Sequence, residues 1–252
     1  MQKKKYIAFV GDSYCATYEW NTPGVQMHQH RVNFPAYPSI TARHYQYNVA
    51  PYGFGGRSWW YSWSKFCKEW EHKLDQIAAI VFAHTQNTRI NSAIIPEFPL
   101  MANHADKLST TDMIKANQDY FKYIHDHDFQ EWAQESYFKM LKEKFNNIQT
   151  IHLHCFPYTV PLSHLLPGVV FTTPLIHISI GEIRGSKEKI VESLNDGRAN
   201  HLNSYNNQVL ADIIIQSLDN YQPGQYELPV EKFEQPNPNA AKWSNGKFWT
   251  KT

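Results

Sequence analysis

Residues 6–18 read YIAFVGDSYCATY, an apolar run that stops at Gly11-Asp12-Ser13. A short continuous apolar stretch bounded by a turn former is the pattern of a strand buried on both faces of a parallel sheet. Read this way, residues 5–10 form a first strand and Ser13 sits just past its carboxyl end. Open α/β sheets gather functional groups at that edge. The bland reading is a tight turn and nothing more, and the rest of the chain decides between the two.

Working outward, residues 11–44 read as irregular, with Pro23, Gly24, Pro35 and Pro38 among polar turn formers. Residues 45–50 suggest a second strand, followed by a loop holding Gly53, Gly55 and Gly56. Trp59, Trp63, Phe66, Trp70 and Leu74 recur at helical spacing, predicting a helix over 58–74 with Ser58 as its N-cap. The run IAAIVFA, residues 77–83, predicts a third buried strand. A short helix is expected around 112–124. A longer one is expected over 128–145, with Asp128 and Glu131 as a capping box and an apolar stripe of Phe129, Trp132, Ala133, Met140, Leu141 and Phe145. Residues 150–155 read as a strand and 204–218 as a closing helix. The alternation of strand and helix predicts an α/β fold with a parallel sheet covered on both faces. The domain is expected over 1–220. The proline- and asparagine-rich stretch 221–252 reads as an extended tail, packed on the domain or trailing it, with Phe233, Trp243 and Phe248 as its contacts.

Composition narrows the function. With 252 residues, 42% hydrophobic and 19% charged, the chain can bury a sizeable core. A formal net charge of +1 gives no basic field for nucleic acid. Lys3-Lys4-Lys5 reads as a solvated end. Cys15, Cys67 and Cys155 are an odd number without CxxC spacing, which fits a reducing compartment better than a disulfide framework. Neither a signal-peptide h-region nor a membrane-length apolar run is visible, so the expected location is the cytoplasm, or a virus particle.

A serine hydroxyl becomes a nucleophile only with a base to take its proton, a group to orient that base, and donors for the oxyanion. Near the C-terminus, LNDGRANHLN at 194–203 puts His201 just before the closing helix, with Asp196 upstream. A loop entering that helix lies on the same edge as Ser13.

GDS after a first strand, a glycine loop after the second, and His-Leu-Asn before a C-terminal helix together resemble the SGNH (GDSL-like) hydrolases. The resemblance covers roughly residues 5–218. It implies a flavodoxin-like three-layer α/β/α sandwich and hydrolysis of esters, often acetyl esters of sugars or lipid esters. By position, Ser13 would be the nucleophile and His201 the base. Asp196 would orient the imidazole. The N–H groups of Ser13 and of Gly56 (or Gly55) would serve the oxyanion hole. The family's Gly-x-Asn-Asp block is not kept: the third strand runs into Ala83-His84-Thr85-Gln86-Asn87-Thr88-Arg89, which leaves Asn87 or Gln86 as the third donor. The family's Asp-x-x-His spacing is also broken, because Arg198 stands three residues before His201 and Asp196 stands five before. The DGRxNHL variant is similar to one in SGNH-like proteins encoded by bacteriophages.

The resemblance implies a serine esterase that needs no cofactor. The 15% aromatic content tilts its substrate toward O-acetylated carbohydrate, with Trp60, off the helix stripe, as a stacking platform. The rival expectation is a catalytically degenerate SGNH fold that binds carbohydrate or serves as a structural part of a phage particle. Arg89 and Arg198 either bind an anionic substrate group or pair with Asp196, the bland reading being a surface salt bridge. Cys15, two residues after Ser13, is a rival nucleophile, but it reads first as a small buried residue. His28 with His30 and His152 with His154 each put two imidazoles on one strand face if extended, yet no third metal ligand has recognisable spacing, so no metal is expected.

Overall fold

The computed structural model describes residues 5–16, 35–55, 57–91, 99–100, 110–179 and 202–234. Strands β1 (Tyr6–Gly11), β2 (Asn48–Gly53) and β3 (Ile77–His84) form one half of the sheet. Two-residue strands β4 (Ile90–Asn91) and β5 (Pro99–Leu100) pair with each other apart from it. Strands β6 (Gln149–His154), β7 (Val169–Phe171) and β8 (Gly224–Tyr226) complete the sheet. Its order is β2-β1-β3-β6-β7-β8, and every pairing is parallel. This is the doubly wound, flavodoxin-like order with one added edge strand, and its switch point lies between β1 and β3.

The helices are α1 (Tyr37–His44), α2 (Trp59–Trp70), α3 (Thr111–Asp119), α4 (His127–Lys144) and α5 (Ser204–Asp219). Strand alternation divides the core into two layers. Ile7, Phe9, Val81, Ile151 and Leu153 point to one face with Tyr37 of α1 and Leu210 and Ile214 of α5. Ala8, Val10, Ile80 and Phe82 point to the other with Phe66 and Trp70 of α2 and Phe138 and Leu141 of α4. The architecture is therefore the expected three-layer sandwich.

Several expectations need correction. Helix α1 lies within the stretch read as irregular. Pro38 there occupies the first turn, where a missing N–H costs nothing, and so starts the helix instead of breaking it. At Ser58, the side chain makes no cap hydrogen bond, and the helix gives way to a 3-10 turn from Glu71. Helix α4 is capped by Asp126, which accepts the Phe129 N–H at 3.0 Å, not by Asp128. Phe129 and Trp132 are 55% and 61% exposed, so the buried stripe runs instead through Gln134, Tyr137, Phe138 and Leu141. Residues 224–234, read from sequence as part of a tail packed on the domain or trailing it, are packed on it: they supply the outer strand β8 and place Leu228 and Phe233 in the core. Trp243 and Phe248 lie outside the described residues. Among the described residues, no helix is long and apolar enough to cross a membrane.

Candidate active site

Strand β1 delivers its last residues into a very tight space. A Cβ on Gly11 would lie 2.2 Å from the Ala83 carbonyl oxygen of β3, so only glycine fits there. Asp12 follows, 1% exposed, and caps a 3-10 turn over Ser13–Cys15 by accepting the Tyr14 N–H at 2.9 Å. Within this turn Tyr14 and Cys15 are buried and Ser13 is only half-buried. The end of β2 presses on the same turn, since a Cβ on Gly53 would lie 2.4 Å from the Cys15 carbonyl. Two glycines thus seat the turn that offers the Ser13 hydroxyl.

Asp12 also joins this turn to the loop after β3. Its Oδ2 accepts Arg89 Nη1 at 3.2 Å, and its Oδ1 accepts the Cys155 thiol at 3.2 Å. The Arg89 guanidinium lies over the Phe156 ring, 5.1 Å from its centroid. Arg89 is 9% exposed, so the pair is a buried salt bridge. Arg89, expected from sequence to bind an anionic substrate group or to pair with Asp196, pairs with Asp12; Asp196 lies outside the described residues. No sequence signal could identify that partner, because the contact exists only once β1 and β3 are neighbours.

The third oxyanion candidates follow β3 directly. Gln86 is 2% exposed, whereas Asn87 is half-buried at the turn. The loop is pinned to α4 by Gln134, whose Nε2 donates to the Thr85 carbonyl at 3.1 Å. Trp60 stands in the first turn of α2, at the carboxyl edge, and is 41% exposed. Trp63 packs instead among Phe66, Phe82, Tyr137 and Phe145.

His201, Asp196, Arg198 and Gly56 lie outside the described residues, as do His28 and His30. The chain is described again from Leu202, with Asn203 capping α5 by accepting the Asn206 N–H at 2.7 Å. Helix α5 leads into β8, which is parallel to the other strands, so its N-terminus is at the carboxyl edge, as Ser13 is.

The rival groups are all sequestered. Cys15 is fully buried, which pushes its thiol well above the ordinary range, as it does for Cys155. His152 and His154 do share a strand face, but they belong to a buried imidazole cluster. His84 and His152 share a hydrogen bond at 2.9 Å between Nε2 and Nδ1, and both stack with Phe82. His154 meets Thr159 Oγ1 through Nδ1 at 2.6 Å and Ser163 Oγ through Nε2 at 2.9 Å. Ser163 donates its own proton to the Val160 carbonyl at 2.6 Å. It must therefore accept from His154 Nε2–H, which is the wrong polarity for a serine that a base activates. Among the described residues, no group of three or more His, Cys, Asp or Glu side chains could hold a metal ion.

No protein-family model matches the sequence, and no curated protein does either. Similar solved structures include a carbohydrate esterase whose active site displays divergent catalytic and non-catalytic binding functions (14% identity, TM-score 0.41, 87% of this chain and 66% of that one). A second is from Parabacteroides merdae and is described as a GDSL-like lipase (12% identity, TM-score 0.44, 87% and 97%). A third is an acetyl xylan esterase from the rumen bacterium Butyrivibrio proteoclasticus (11% identity, TM-score 0.34, 95% and 61%). The chain thus spans less than two thirds of the first and third of these proteins.

Proposed function

We propose that this protein is a serine ester hydrolase of the SGNH type, acting on O-acetylated carbohydrate. The observation that carries the reading is the seat of Ser13. It is the accessible residue of a turn otherwise buried, at the switch point between β1 and β3, where doubly wound sheets bind their ligands. In the proposed reaction Ser13 Oγ attacks the ester carbonyl and His201 takes its proton. The tetrahedral oxyanion is met by the N–H groups of Ser13 and Gly56 and by the Asn87 or Gln86 amide. His201 then protonates the leaving alcohol, and a water repeats the sequence to release acetate. Asp196 holds the imidazole tautomer. The exposed ring of Trp60 at the same edge supports a sugar substrate.

Labelling with a fluorophosphonate tests the reading. The wild-type chain should be captured covalently at Ser13, and Ser13→Ala should lose both labelling and hydrolysis of p-nitrophenyl acetate while melting at the same temperature. A folded wild-type protein that is never labelled would defeat the hydrolase reading.

A further inference from the structure

The loop that follows β3 holds an unusual concentration of unanswered polar atoms. Among the described residues, Thr85 Oγ1, Gln86 Oε1, Thr88 Oγ1 and Arg89 Nε are all buried without a hydrogen-bond partner. Thr85 is 1% exposed, Gln86 2% and Arg89 9%. Native proteins pair nearly all such atoms, so an orphan calls for a specific reason. Here they fall on four of the five positions 85–89 of one loop, tied to the Ser13 turn through the 3.2 Å Arg89–Asp12 pair.

From this set we propose that residues 85–89 form a recognition strip for the hydroxyl groups of a neutral sugar, beside Ser13. The proposal rests on the hydrolase reading for its place in a reaction, but not for binding itself. The chemistry of the set selects the ligand. Gln86 Oε1 accepts, Arg89 Nε donates, and the two threonine hydroxyls do either. A run of sugar hydroxyls, each both donor and acceptor, satisfies all four. A carboxylate or phosphate offers acceptors only, so it would leave Gln86 Oε1 unanswered, and Arg89 already has its counter-charge in Asp12. An acyl chain would satisfy none of them. The four atoms are covered in the free chain, so the proposal requires the half-buried turn at Asn87-Thr88 to move outward on binding.

Calorimetry on Ser13→Ala with xylotetraose, mannotetraose and cellotetraose tests this without turnover. At least one should bind, and Thr85→Val and Thr88→Val should each weaken it about three- to tenfold, the worth of one neutral hydrogen bond. Their melting temperatures should equal or exceed the parent's, since a buried hydroxyl with no partner is lost. A melting temperature that falls, with binding unchanged, would show that ordered water answers these atoms, and would overturn the proposal. So would the absence of binding by all three sugars, or tighter binding of trigalacturonate or of a hydroxyl-free octanoyl ester. Wild-type labelling by fluorophosphonate without sugar binding would sink only this inference. Sugar binding without labelling would sink only the hydrolase reading.

Discussion

Arg89→Met should be among the most destabilising single changes near the site. Arg89 and Asp12 have side chains 10% and 1% exposed at 3.2 Å separation, and among the described residues the Asp12 carboxylate keeps the Tyr14 N–H and the Cys155 thiol once the cation is gone. Removing one partner of a buried pair strands the other charge, at a cost of about 3–5 kcal/mol. In a protein of this size each kcal/mol moves the melting temperature by roughly 2–4 °C, so a loss of about 6–20 °C is expected. Methionine keeps much of the contact with the Phe156 ring, so the loss reports the charge. Lys139→Met provides the comparison. That lysine lies closer to its partner Glu135, at 2.5 Å, but the two are 58% and 37% exposed, and the change should cost under about 0.5 kcal/mol. Burial, not distance, is what separates the two cases. The double variant Asp12→Asn/Arg89→Met, measured by urea melts in a complete cycle, should recover at least half of the loss. A cost below about 1 kcal/mol for Arg89→Met, or strict additivity in the cycle, would refute the reasoning.

Acid should destabilise the protein well above the carboxylate range. Burial holds His84 and His152 well below the usual 6.5 and takes His154 down to about 3, so the unfolded chain binds these protons first. The contribution is complete above pH 6.5 and falls by up to about 1.4 kcal/mol per imidazole per pH unit as the pH drops toward 3. A melting temperature that is flat from pH 7 to 5 would contradict it. Trp60→Ala should leave the melting temperature nearly unchanged, whereas Trp63→Ala, with four aromatic neighbours, should cost toward the lower end of about 3–5 kcal/mol. Equal losses at the two positions would reject that division. Gly53→Ala should push the Ser13 turn aside, because its new methyl would overlap the Cys15 carbonyl. Fluorophosphonate labelling of that variant should slow at least tenfold, and unchanged labelling would argue that the turn is not held by β2.

What the sequence determined by itself was local and periodic. The apolar runs at 6–10 and 77–83 and the helical spacing of 59-63-66-70 mark the central strands and a packed helix, because burial on both faces or on one stripe leaves a pattern in the residues themselves. The placement of Ser13 past the first strand followed from that pattern alone. Strands β7 and β8, of three residues each, were not legible, since so short a run carries no period. Nor was the exposure of Phe129 and Trp132, which depends on how α4 is rotated against the sheet. The tertiary structure alone decided the partners. Asp12 and Arg89 stand far apart in sequence and meet because β1 and β3 are neighbours, and that pairing gives Arg89 a buried counter-ion that the sequence did not name. It likewise decided that the loop after β3 buries polar atoms it does not pair. Burial and pairing are properties of what surrounds a residue, and a chain acquires those surroundings only on folding.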